Sequence, residues 1–289
     1  MTGPRPKPPA GPPPSAGVLA RYARAYAKDL GVSEGRVRGW ISYMMLAGVL
    51  EQSKERGQGY RFTVKGGVAL ELRLKDRARA TKDIDLVLHH HDVDLARALE
   101  QAVTTGDADG YQGFTFRRKG EPLILENRTI SVEFAVTYRG GTWTSIIVDV
   151  ARAESGEADV ELVPAVPLRD AIGISGPYEL ACLPLRMHIA QKLHGMTLPP
   201  RAGKRNERFK DLVDVLLMEA LVTDNSGLRE ACELVFESRR THAWPPVLEV
   251  PPHWVEPFAT LALELDLPVR DAYEAMERVR AFVERIQNA

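Results

Sequence analysis

An α+β fold is what this sequence predicts, and three observations predict it. Short runs with strand-like alternation crowd the stretch from Tyr60 to Val150, helical patterns precede them, and from Pro177 the pattern is helical to the C-terminus. At 289 residues and 44% hydrophobic side chains, the chain can bury one large core or two ordinary ones. The expected organisation is a disordered proline-rich tail (1–16), a helical lead-in (17–58), a sheet-bearing core (59–175) and a largely helical C-terminal domain (176–289).

Composition excludes several classes. A net charge of -1 argues against a uniformly basic nucleic-acid coat, so any RNA contact must come from a local patch. Cys182 and Cys232 have no metal-type spacing and sit in apolar helical patterns, as free buried thiols of a reducing compartment do. No apolar run reaches the ~18 residues that span a bilayer. The N-terminus lacks a signal-type apolar stretch, so a cytoplasmic protein with no membrane partner is expected.

The segment MTGPRPKPPAGPPPSA is too proline-dense to hold a core. Two helical patterns follow between Gly17 and Leu50, the second with Ser33 as its N-cap. Arg36 and Arg38 on that second helix admit a DNA-reading helix-turn-helix, while its apolar load (Trp40, Ile41, Tyr43 to Leu46) favours packing on a core. Tyr60–Val64 reads as the first core strand and Gly66 to about Lys75 as the next helix. A basic connector (Lys75, Arg77, Arg79, Lys82) then leads into the strand Asp83-Ile84-Asp85-Leu86.

This stretch carries the chemistry. Without a Cβ, Gly66 and Gly67 let backbone approach an anion closely, and the N–H groups opening the following helix favour negative charge. Asp83 and Asp85, two apart on a strand, share a face. Paired acids in a half-buried site need a cation between them, and Mg²⁺ held by one or two carboxylates plus substrate phosphates is the usual solution. Taken singly, a glycine pair or a DxD is a weak signal. Their order (strand, glycines, helix, loop, DxD) is what shifts the reading toward function.

Further on, Asp92–Thr104 is an amphipathic helix, and His89 to His91 belong to the loop before it, because three consecutive residues cannot all face one ion. Strands are expected at Phe114–Arg118, Ser131–Tyr138 and Thr144–Val150, the last two joined by a hairpin at Arg139-Gly140-Gly141. In SIIVDVAR, Asp149 interrupts a β-branched run, which is costly unless the charge is paired or coordinated. Glu133 on the preceding strand competes with it, and pairing to Arg152 or Arg169 is the bland account of Asp149. ELVPAVPLRD looks like an edge strand. Tyr178–Met196 is expected as a helix with Arg186, Gln191 and Lys192 near one polar face, followed by the polar loop 197–207 and a helix at ERFKDLVDVLLMEALV. There Asp211 and Asp214 lie three apart and share a face.

The order K-G-G-x-A-L, basic loop, T-x-D-I-D, then QKLHGMT and RFKDLVD resembles the polymerase β-like nucleotidyltransferase superfamily. It is most similar to the AbiEii/MenT toxins of type IV toxin–antitoxin pairs, over roughly residues 30 to 220. The resemblance implies a nucleotidyltransferase core with a mixed sheet flanked by helices. It also implies transfer of NMP from an NTP, with Mg²⁺, to an RNA acceptor such as the tRNA 3′ end, and a cognate antitoxin. The implied metal ligands are Asp83 and Asp85 with Asp149 as third carboxylate; Lys65, Gly66, Gly67, Thr81, Lys192 and Arg208 would contact the nucleotide, with Lys210 a further phosphate contact. Asp211 is the motif's functional acid, and Asp214 its helper or a structural cap. Val68 stands where many members place Thr or Ser, so Thr81 would supply the missing hydroxyl. A catalytically idle family member acting as a protein partner is the remaining alternative.

Overall fold

The computed structural model describes residues 11–52, 59–75, 78–89, 94–104, 110–125, 129–154, 159–200 and 203–289. The chain divides into two compact units. The first comprises Met1–Asp76, Ala80–Ala153 and Leu162–Cys182, and the second Arg77–Arg79, Glu154–Glu161 and Leu183–Ala289.

The first unit is built on a mixed seven-stranded sheet of order β3-β4-β5-β2-β1-β7-β6. Its strands are β1 (Phe62–Lys65), β2 (Asp83–Leu88), β3 (Phe114–Ile124), β4 (Ile130–Tyr138), β5 (Gly141–Arg152), β6 (Glu161–Pro164) and β7 (Glu179–Cys182). Alternation decides the faces. Ile84, Leu86 and Leu88 of β2, Val132, Phe134 and Val136 of β4, and Ile146, Val148 and Val150 of β5 enter one apolar core. Helices α1 (Ala16–Leu30), α2 (Glu34–Gln52) and α4 (Leu95–Thr104) contribute to that core. The opposite face of β2 and β5 carries the acids. The β4–β5 hairpin turns on Arg139 and Gly140, both at positive φ (47° and 75°), as a two-residue turn matched to strand twist requires.

Helix α2 settles the helix-turn-helix alternative. Ser33 Oγ caps it by accepting from Arg36 N at 3.2 Å, but Trp40 through Leu46 are buried, as is Val37. Arg36 pairs with Glu71 at 2.9 Å and Arg38 with Glu34 at 2.8 Å. A recognition helix must offer a free face and free cations, and α2 offers neither. The tail expected at 1–16 is also corrected in its described part. Ser15 caps α1, and the Pro13 carbonyl accepts from the Tyr138 hydroxyl at 2.7 Å, so the chain is anchored from about that point. Residues 1–10 lie outside the described residues, as do Arg77, His90, His91, Asp92 and Arg201.

The second unit is helical: α6 (Leu185–Met196), α7 (Phe209–Glu219), α8 (Leu228–Arg239), α9 (Val255–Glu264) and α10 (Ala272–Gln287). The single helix expected over Tyr178–Met196 is instead strand β7 followed by α6. Cys182 registers with Val64 in parallel, and Pro184 at the N-cap cannot extend a helix backward through its own missing N–H. A short helix, α5 (Arg169–Ile172), follows β6 in the first unit. Strand β3 runs six residues beyond the expected Arg118, because β4 continues to pair with it past an irregularity between Lys119 and Leu123.

Candidate active site

The sequence-predicted residues fall into two clusters, one in each unit. In the first unit the chain leaves β1 at Lys65 and enters α3 (Gly66–Leu74) directly. Gly66 takes φ +62°, in the left-handed region, and a Cβ there would lie 1.8 Å from Asp85 Oδ2. A Cβ on Gly67 would meet the Thr81 side chain at 2.6 Å. Both glycines are therefore required by close approach: Asp85 lies against the first and Thr81 against the second. Lys65 at the N-cap of α3 makes no side-chain capping bond, and the N–H groups and dipole of a helix start favour an anion.

Register completes the cluster. Lys65 pairs with Asp85 across β1–β2, Asp85 with Asp149 across β2–β5, and Asp149 with Ser131 across β5–β4. Thr81 Oγ1 donates to Asp83 Oδ1 at 2.9 Å, which fixes the first acid of the pair. Asp149 is half-buried. Burial, with Asp83 adding to it, pushes its carboxyl above the usual carboxylate range despite a hydrogen bond from Ser131 and the charge of Lys65. Its Oδ1 is fully buried without a hydrogen-bond partner. Among the described residues no group of three or more His, Cys, Asp or Glu side chains is drawn together as a metal site. Asp85 and Asp149, with one buried, unsatisfied carboxylate oxygen, are oxygen donors of the kind a hard divalent cation takes. Glu133, the competing acid, stands two pairs further along β4, opposite Ile147, and is bound to Lys119 at 2.5 Å.

Sequence reasoning missed what supports this cluster. Glu71, on α3 and 5% exposed, accepts from Arg36 Nε at 3.0 Å and from Trp40 Nε1 at 2.8 Å. Arg38 donates to the Trp143 carbonyl on β5 at 2.9 Å, and Trp143 Nε1 donates to Ser42 Oγ at 3.1 Å. Helix α2 is thus tied at once to the glycine helix and to the strand of Asp149. A glutamate at helical spacing gives no signal of burial, and only Trp40 nearby hints at it.

In the second unit Lys192 is buried rather than placed on a polar face. Its Nζ lies 2.7 Å from Asp211 Oδ1 and 2.9 Å from Asp214 Oδ2. Arg79 grips Asp214 through both oxygens at 3.0 Å, and Arg208 pairs with Asp211 while remaining half exposed. Burial alone would lower the lysine, but Asp211 and Asp214 outweigh it and hold it above the ordinary range. Burial would likewise raise Asp214, and Lys192 with Arg79 hold it below. The cap reading of Asp214 fails, because it sits mid-helix and fully buried. Lys210 is exposed.

Gly195 explains the glycine of QKLHGMT. A Cβ there would fall 2.6 Å from Arg208 Nε and 2.9 Å from Asp211 Oδ2. Asn206, also missed, joins the two helices. Its amide nitrogen donates to the carbonyls of Gly195, Met196 and Leu198 at 3.0–3.1 Å, and its Oδ1 accepts from Arg208 N at 2.9 Å. It caps the end of α6 and the start of α7 together.

Residues 49–285 match the family model described as nucleotidyl transferase AbiEii toxin, type IV TA system. No curated protein matches the chain. Among solved structures, MenT4, the nucleotidyltransferase toxin Rv2826c from Mycobacterium tuberculosis H37Rv, is 18% identical with a TM-score of 0.56, over 94% of this chain and 97% of that one, which shows a shared fold. An antigenic nucleotidyltransferase-like protein from Paracoccidioides brasiliensis is 15% identical, over 78% of this chain and 90% of that one, with a TM-score of 0.37. ANT(2")-Ia in complex with adenylyl-2"-tobramycin is 16% identical, over 69% and 97%, with a TM-score of 0.34. These last two scores are too low to carry an argument. No described helix is long and apolar enough to cross a membrane. With the family model spanning most of the chain, the protein belongs to the AbiEii nucleotidyltransferase toxins of type IV toxin–antitoxin systems.

Proposed function

We propose that the chain transfers a nucleoside monophosphate from an NTP to the 3′ end of an RNA, tRNA being the favoured acceptor, and that this blocks translation in the cytoplasm. The observation that carries the reading is the pairing of Asp85 with Asp149, whose Oδ1 is buried and unsatisfied, beside a glycine turn that no side chain can enter. The catalytic core in this reading is residues 59–175, extended by strand β7 of the same sheet.

Asp83, Asp85 and Asp149 would hold Mg²⁺, which supplies charge neutralisation on the triphosphate and on the attacking oxygen. The backbone at Gly66 and Gly67, with Lys65, receives the β- and γ-phosphates at the start of α3. The acceptor 3′-oxygen bonds to the α-phosphorus as the bond from that phosphorus to the bridging oxygen of the β-phosphate breaks, and pyrophosphate leaves. The 3′-hydroxyl proton leaves to bulk water as the oxygen attacks, and Asp149 Oδ1, buried and without a hydrogen-bond partner, stays the candidate cation ligand. Thr81 keeps Asp83 oriented and stands in for the hydroxyl that Val68 lacks. Lys192, Arg208 and Asp211 keep the roles that the family resemblance implies, a phosphate-contacting ammonium, a second cation and the acid that orders the lysine. An antitoxin partner follows from the family. The test in cells is expression of the full chain: wild type arrests growth and protein synthesis, and Asp83→Ala does neither. Arrest by Asp83→Ala as strong as by wild type refutes the proposal.

A further inference from the structure

Beyond the carboxylates, the same sheet face continues as an open shelf. Across the strands, Asp83 pairs with Ile147, Ile147 with Glu133 and Glu133 with Lys119. The next row is Ser145, Ala135 and Arg117, and beyond it Thr137 pairs with Thr115. Ile147 is 43% exposed, and Ser145, Arg117, Lys119 and Thr115 are exposed, although the reverse face of these strands is core.

We propose that this shelf is the docking surface for the 3′-terminal nucleotides of the acceptor RNA. The inference rests on the transfer reading above. Its argument is positional. In the strand order, the glycine turn leaves β1 on one side of β2 and β5, and the shelf occupies β5, β4 and β3 on the other. In-line displacement puts the nucleophile opposite the departing group. With pyrophosphate held at the glycines, the acceptor must arrive from the shelf side. The chemistry matches: Ile147, beside Asp83, gives an apolar floor for a ribose or base, while Arg117 and Lys119 supply charge for the phosphates behind it. Lys119 is bound to Glu133, but both are solvent-exposed, and such a pair exchanges readily for a phosphate. Arg118, between them in sequence, points to the other face and lies 3.8 Å from Glu100, so it serves as an internal control.

The experiment is steady-state transfer of labelled NTP by the full-length protein, with Mg²⁺, to total tRNA and to a short unstructured oligoribonucleotide. Arg117→Glu and Lys119→Glu each raise KM for RNA by about tenfold, and flatten its salt dependence by about 0.7 in log–log slope per lost contact. Ile147→Ser raises it severalfold. KM for NTP stays unchanged in all three, and Arg118→Gln behaves as wild type. If wild type labels RNA while these variants keep the wild-type KM for it, the shelf is overturned and the transfer reading stands. If wild type labels no RNA with any NTP, the transfer reading fails and the shelf falls with it.

Discussion

Asp149 and the glycine pair show how far chemistry can be read before coordinates exist. Asp149 was legible because a charge inside SIIVDV has no cheap explanation, and the structure places it in register with Asp85. The glycine pair was legible as a turn from strand to helix. Its stricter requirement was not, because the contact that forbids a side chain at Gly66 comes from Asp85, nineteen residues on in sequence. Gly66→Ala is therefore expected to abolish transfer. It forces Asp85 out of place and holds an alanine in the left-handed region at a cost of about 1–2 kcal/mol. Circular dichroism should remain that of wild type while activity disappears; an active Gly66→Ala would contradict the close approach. Arg79 and Glu71 were illegible for a different reason. A basic loop residue and a helical glutamate look solvated in sequence, and only tertiary pairing with Asp214 and with Arg36 and Trp40 distinguishes them.

Among elements, α6 and α7 form the most tightly charged pair of the second unit. Lys192, Asp211, Asp214 and Arg79 are all satisfied by one another, and Asn206 fixes the joint between the helices. Removing one member leaves buried charge without its counterpart, so Lys192→Met should destabilise the protein by about 3–5 kcal/mol. The pH dependence follows from the two shifts. Asp214, held below its ordinary 3.8, contributes stability present above that value and lost as pH falls through its lower folded pKa. Lys192, held above its ordinary 10.5, contributes stability present below that value and lost as pH rises through its higher folded pKa. Thermal melts should be flat across the interval between 3.8 and 10.5 for this pair, and Lys192→Met should lose the alkaline limb of the wild-type profile. An unchanged alkaline limb would show that the lysine is not held by the acids. The sequence placed a helix here correctly, yet it ran that helix back through β7, because ELAC carries both patterns and pairing with β1 decides between them.

At the scale of the whole molecule, α+β architecture and the nucleotidyltransferase core were legible from motif order alone, since strand, glycines, helix and DxD occur in one short stretch. The sheet order was not legible, because it depends on which distant strands pair, and the exposed row on β5, β4 and β3 follows from that order. The burial of α2 was legible in its apolar load, whereas the ion pairs that occupy Arg36 and Arg38 were not. In the proposed function, the acids on β2 and β5 drive nucleotide transfer to an RNA end. Incubating the purified full-length protein with Mg²⁺, each labelled NTP and total tRNA measures it directly. The account predicts tRNA extended at its 3′ end by wild type and no extension by Asp85→Ala; extension by Asp85→Ala at the wild-type rate would contradict it.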